Sequence, residues 1–135
     1  IDPYVSLFIS VVESAGFNIR AKSSMGALGT EQFMTFTAKM LANSVSPWEY
    51  LQTNNYSVEM LYDLIESKKL GIRYMKLLLE EFDGRVEWAL VGYNAGPYRA
   101  NEYFKNGEGV FSKDVPEKYR AYSDKVLANY SRINQ

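Results

Sequence analysis

Apolar residues recur along this chain every three or four positions, and no stretch long enough for a strand alternates cleanly between apolar and polar. That period stacks one side chain per turn on the same helical face. Val5, Phe8, Ile9 and Val12 predict a first helix, with Asp2 as its cap and Pro3 as its first residue, where a missing amide costs nothing. Gly16, Asn18 and the polar run Lys22, Ser23 and Ser24 end it and begin a loop that passes through Gly26 and Gly29. Thr30 to Leu41 predicts a second helix, with Phe33, Met34, Thr37 and Leu41 on one side. Ser46, Pro47 and Glu49 combine a cap, a first-turn proline and a capping-box glutamate, which predicts a short third helix.

The longest periodic segment runs from Leu61 to Phe82, with Leu61, Leu64, Ile65, Ile72, Leu78, Leu79 and Phe82 as its stripe. Gly71 interrupts it; a mid-helix glycine costs about 1 kcal/mol against alanine, so close packing is its simplest reason. Asp83 and Gly84 make a turn, and Val86, Ala89, Leu90 and Tyr93 mark a helix that must stop near Asn94-Ala95-Gly96-Pro97. A short helix follows to Phe104, Lys105 to Lys113 reads as an exposed loop, and the last helix begins near Pro116. Its Tyr119, Tyr122, Val126, Tyr130 and Ile133 make a tyrosine-rich face. The expectation is a compact all-α domain spanning residues 1–135, with no internal repeat.

The 135 residues suffice for one core that buries roughly two thirds of the unfolded surface. An apolar fraction of 47% against 23% charged residues excludes a disordered tether. With 11 Tyr, 7 Phe and 2 Trp the chain carries more rings than a core requires, so some are expected to line an amphipathic groove. Lys plus Arg number 15 and Asp plus Glu 16, which builds no cationic face for a nucleic acid. The chain has no cysteine and no histidine, which excludes disulfides, thiolate nucleophiles, Cys/His zinc sites and Ser-His-Asp chemistry. Acid–base work is left to carboxylates, tyrosine or lysine, and no metal or organic cofactor is expected. No apolar run approaches the roughly 20 residues of a membrane helix, and the opening Ile1-Asp2-Pro3 is compatible with an export signal or anchor ahead of it.

Glu13 is the leading candidate for chemistry. It lies at a helix end facing a Gly/Ser loop and is bordered by Phe8, Val12 and Phe17; limited hydration there would raise its pKa and make it a proton donor near neutral pH. The ordinary role of such a residue is a solvated charge or a partner for Arg20 or Lys22. Gln32 and Asn94 can orient a carbonyl or amide by hydrogen bonds, or simply serve their helix and turn. Glu31 could be a second acidic participant, with a surface position as its default. Tyr93, Tyr119 and Tyr122 could stack on sugar faces, although periodic tyrosines more often pack helices together. Residue pattern alone accepts a peptide groove almost as readily.

Three blocks together resemble the catalytic domain of soluble lytic transglycosylases, lysozyme-like enzymes that cleave peptidoglycan. Val12-Glu13-Ser14, followed by Phe17-Asn18 and the run from Ser23 to Met34, resembles the family's glutamate-serine motif and its serine, glycine and glutamine block. Ala89 to Pro97 is similar to its Tyr-Asn-Ala-Gly motif, and Tyr119 to Val126 to the closing helix that brings a tyrosine into the site. The chain departs from the family at Glu31, which stands where a hydrophobic residue is usual, and at Thr35, where proline is usual. Lys118 and Tyr119 replace an acidic residue and threonine, with Glu117 displaced by one position, and Ser67 replaces a frequent asparagine. A second carboxylate at Glu31 would raise the pKa of Glu13 or alter how it positions substrate.

The resemblance implies a goose-type-lysozyme-like helical fold with a substrate groove and cleavage of the beta-1,4 bond between N-acetylmuramic acid and N-acetylglucosamine. Glu13 would be both acid and base, and the product a 1,6-anhydromuramyl end. Ser14 would support Glu13 or the substrate. Gln32, Tyr93 and Asn94 would contact substrate or shape the site, and Tyr122 would orient the acetamido group or stabilise developing positive charge. The implied partners are peptidoglycan strands and, for an envelope enzyme, assembly proteins. The implied location is the bacterial periplasm or envelope, or the exterior for a secreted or phage-associated enzyme. Two alternatives stand beside this: a muramidase of the same fold, with Glu31 as the carboxylate to inspect, and a noncatalytic peptidoglycan-binding or assembly module.

Overall fold

Pro3 is the first residue of helix α1 (Pro3–Glu13) in the computed structural model, as its missing amide favours. The structure describes residues 3–14, 16, 18–34, 37–38, 41, 57–106, 111 and 115–133. The caps expected at Asp2 and Ser46, the helix expected from Pro47, the ring of Phe17, and most of the loop from Lys105 to Lys113 lie outside these residues. Further helices among the described residues are α2 (Leu64–Glu81), α3 (Val86–Ala95), α4 (Pro97–Asn106) and α5 (Glu117–Ile133). A single 3-10 turn at Val58–Tyr62 precedes α2. Among the described residues there is no strand, only isolated bridges of Leu28 with Lys22 and with Phe33. The class is all-α.

The chain forms two compact units, one of Pro3–Phe8 with Tyr74–Gln135 and the other of Ile9–Arg73. In the Ile9–Arg73 unit, the buried side chains include Ile9, Leu28, Phe33, Ala38, Leu41, Leu61 and Leu70. Arg73 is buried with them, and its Nη1 donates to the Leu41 carbonyl at 2.6 Å. The buried side of α1 differs from the expected stripe. Val5 and Ile9 are buried, but Phe8 and Val12 are only half-buried, and Ser6, Ser10 and Ser14 complete the buried face. Small hydroxyl side chains fit there because the helix itself and groups beside it supply hydrogen-bond partners.

Two sequence expectations fail for local reasons. The stripe from Leu61 to Phe82 is broken at Asp63, whose Oδ1 accepts from the Ile65 and Glu66 amides at 3.0 and 2.9 Å and so caps α2. Leu64 and Ile65 consequently fall on the exposed side. The helix expected from Thr30 begins later: Thr30 to Gln32 form a turn, and helical geometry is seen at Thr37, Ala38 and Leu41. Gln32 has φ of +51 and Phe33 exchanges backbone hydrogen bonds with Leu28 at 2.9 and 3.2 Å, which removes both residues from any helix.

In the other unit α3 is central, and Trp88 to Tyr93 are buried without interruption. A helix apolar on every side is covered on every side. Trp88 meets Phe104 and Phe111 edge-on at 5.1 and 5.5 Å between centroids, and Phe82 lies 6.1 Å away. Gly92 lets the Leu78 and Phe82 side chains close on α3. The expected break after Tyr93 occurs at Gly96, and Pro97 opens α4. Among the described residues no helix is long and apolar enough to cross a membrane.

Candidate active site

The end of α1 is held by its own backbone and by Ser14. The Ser14 amide and Oγ both donate to the Ser10 carbonyl, at 3.0 and 2.6 Å, so the hydroxyl closes the last turn from within. Glu13, the final residue of α1, is half-buried at that end.

The loop that follows is braced by short polar contacts. Ser23 exchanges with Ala27 through its amide and its Oγ, at 2.9 and 3.0 Å. The Gly29 amide reaches the Ala21 carbonyl at 2.9 Å, and Gly29 lies so close to the Leu61 backbone that a Cβ would overlap the Leu61 carbonyl. From this anchored glycine the chain turns, and Gln32 Nε2 donates back to the Gly29 carbonyl at 2.8 Å. The left-handed backbone of Gln32 and its side-chain bond fix one another.

Glu31 does not take its expected surface position. It is 1% exposed, and Lys68 Nζ lies 2.9 Å from its Oε1. Ser10 Oγ donates to the same oxygen and accepts from Lys68 Nζ, which joins α1, the loop and α2 in one polar cluster. Thr30 and Ser67 hydroxyls meet beside it at 3.2 Å. The close packing that Gly71 signalled is contact with this carboxylate: a Cβ at Gly71 would overlap Glu31 Oε2. Gly71→Ala should gain about 1 kcal/mol in helix propensity yet destabilise by about 2 kcal/mol net, through displacement of the buried carboxylate. Denaturant unfolding of Gly71→Ala, Glu31→Ala and the double variant measures the coupling; additive effects would contradict the contact.

The other sequence-marked residues belong to the unit containing α3 and α5. Tyr93 is buried and Asn94 exposed in the last turn of α3, and the Tyr74 and Tyr93 rings lie 5.2 Å apart. Tyr122 is half-buried on α5 with its hydroxyl oxygen buried. Tyr119 packs between helices, beside Tyr103 at 6.1 Å, with Arg99 Nη1 donating to its hydroxyl at 3.1 Å. Burial pushes the Tyr119 phenol up, but hydrogen bonds and charge from Arg99 and Lys118 outweigh this and lower its pKa.

Burial pushes the Tyr74 phenol from an ordinary 10.0 up to about 12. An acid whose folded pKa is raised contributes stability below its unfolded pKa that is lost as pH climbs through the folded one. Between about pH 10 and pH 12 Tyr74 should therefore cost about 3 kcal/mol of stability. Unfolding measured across that range should fall less steeply in Tyr74→Phe than in wild type; parallel curves would refute the assignment.

The candidates Glu13, Ser14, Gln32 and Glu31 lie in one unit, and Ser10 and Lys68, which the sequence did not mark, join Glu31 there. The one available signal was Gly71, a small residue three positions after Lys68 in an otherwise regular helix.

Residues 1–114 match the model of the transglycosylase SLT domain. The fold is similar to that of the 70 kDa soluble lytic transglycosylase from Escherichia coli, with a TM-score of 0.83 and 28% identity over 99% of this chain and 22% of that one. A 70 kDa soluble lytic transglycosylase in complex with bulgecin A gives a TM-score of 0.83 at 26% identity, again over 99% of this chain and 22% of that one. An inactive mutant of the lytic transglycosylase Slt from Pseudomonas aeruginosa shares the fold, with a TM-score of 0.78 and 23% identity over 99% of this chain and 22% of that one. The chain thus spans about a fifth of the length of the solved structures it matches.

Proposed function

The chain belongs to the transglycosylase SLT domain family, and from that premise we propose that it cleaves the beta-1,4 bond between N-acetylmuramic acid and N-acetylglucosamine in peptidoglycan, leaving a 1,6-anhydromuramyl end. The observation that carries this reading is the half-buried Glu13 at the locked end of α1, in a chain matched over 99% of its length by a solved lytic transglycosylase.

The reaction proceeds in two steps. Protonated Glu13 donates to the glycosidic oxygen while the carbonyl oxygen of the substrate's acetamido group attacks the anomeric carbon, so the glycosidic bond breaks as an oxazolinium ring closes. Glu13, now ionised, takes the proton from the C6 hydroxyl of muramic acid. The freed oxygen attacks the same carbon, the oxazolinium opens, and the anhydro ring forms. One carboxyl group serves both steps because the first leaves it in the charge state the second requires. Ser14, Gln32, Tyr93, Asn94 and Tyr122 are the supporting and substrate-contacting residues of this reading, and the site of action is the bacterial cell envelope.

A hydrolase of the same fold would need a carboxylate able to activate water on the opposite sugar face. Glu31 is a poor candidate, since its carboxylate is enclosed by Lys68, Ser10 and Gly71. Mass spectrometry of purified peptidoglycan digested with the protein tests the proposal. Anhydromuramyl products are expected; reducing muramyl ends would select the hydrolase, and glycan binding without products would select the noncatalytic module.

A further inference from the structure

We propose that Lys68 and Glu31, acting through Ser10, form a positioning clamp that fixes the last turn of α1 and thereby the aim of Glu13; this rests on the reading of Glu13 as the acid and base. A buried ion pair is weak evidence for stability, because desolvation offsets most of its attraction and an apolar pair of equal volume often serves as well. What such a pair supplies is direction. The geometry here attaches that direction to one residue. Glu31 is 1% exposed and Lys68 remains 23% exposed, yet both hold the hydroxyl of Ser10, which is itself 0% exposed.

Ser10 is the residue whose carbonyl receives both donors of Ser14. Its side chain is therefore tied to α2 and the loop, while its backbone is tied to the residue immediately after Glu13. Rotation or fraying of the final turn would have to break one of these links. Gly71 belongs to the same device, because its lack of a side chain leaves room for the Glu31 carboxylate to reach Ser10. Lys68, Glu31 and Ser10 are positioning residues: they act on substrate only through the placement of Glu13.

The test separates aim from stability. Wild type, Glu13→Gln, Ser10→Ala, Lys68→Met and Lys68→Arg are compared for kcat and KM on peptidoglycan at a temperature where circular dichroism shows each to be folded. Ser10→Ala cuts the link while leaving the ion pair in place, so it stays testable if Lys68→Met unfolds. The expected result is a fall in kcat of about tenfold in Ser10→Ala, with KM within about twofold of wild type. Lys68→Met should behave likewise, and Lys68→Arg, which keeps a donor to both oxygens, should recover most of the loss.

If wild type forms anhydromuramyl products, Glu13→Gln does not, and folded Ser10→Ala keeps the wild-type kcat, the clamp is overturned while the reading of Glu13 stands. A wild type that forms no anhydromuramyl product, or a Glu13→Gln as active as wild type, overturns that reading and the clamp together.

Discussion

Glu13→Gln should keep the fold and the ability to bind glycan strands while lowering kcat by about a thousandfold, the scale expected if one group supplies both proton donation and proton removal. Glutamine has nearly the shape of glutamate and can neither donate a carboxyl proton nor accept the C6 proton. Because Glu13 is half-buried at a helix end and the turn beneath it is closed by Ser14 and Ser10, the exchange should leave the helix intact. Turnover of peptidoglycan and pull-down on insoluble peptidoglycan, measured on one preparation, check this. Loss of binding in proportion to activity would mean that Glu13 holds substrate without transferring protons.

Among the described glycines, Gly29→Ala should be the most destabilising change. Gly29 has φ of +76, which a side chain disfavours, and its Cβ would sit on the Leu61 carbonyl. Backbone strain and overlap with main chain add, for a cost on the order of 3–5 kcal/mol. At a few degrees per kcal/mol for a chain of this size, Tm should fall by about 10 °C or more. Gly26→Ala is the control, since Gly26 has φ of +89 but open space around it, and it should lose only about 1–2 kcal/mol. Equal effects at the two glycines would show that conformation alone, and not the approach of Leu61, sets the cost. Gly29→Ala should also impair turnover in its folded fraction, because Gln32 is fastened to the Gly29 carbonyl.

What was legible in the sequence was local. The start of α1 at Pro3 needed only one residue's chemistry, and the stop after Tyr93 needed only Gly96 and Pro97. Glu13 and Ser14 stood out because a helix end and a glycine-punctuated loop could be read from adjacent residues. The buried state of Glu31 could not be read this way, because the groups that compensate it come from elsewhere in the chain: Ser10 on α1 and Lys68 on α2. Next to Gln32 in a polar run, a glutamate with no visible partner defaults to the surface. Only Gly71 hinted otherwise, and it could not name what packed against it.

The misplaced helix start at Thr30 has a related cause. Phe33, Met34, Thr37 and Leu41 have helical spacing, but the turn through left-handed Gln32 pairs Phe33 with Leu28 and buries it there, and that turn overrode the helical period. The tyrosines of α5 divide along the line that residue type alone leaves open. Tyr119 is committed to Tyr103 and Arg99 between helices, while Tyr122 remains half-buried.

In the proposed reaction the leaving sugar is displaced by a group of the substrate itself and not by water. Digestion of purified peptidoglycan in water enriched in heavy oxygen tests it most directly, with mass spectrometry of the muramyl ends. Unlabelled anhydromuramyl products are expected, each lighter by one water than a reducing end and all absent with Glu13→Gln. Reducing muramyl ends carrying one heavy oxygen from solvent would contradict it.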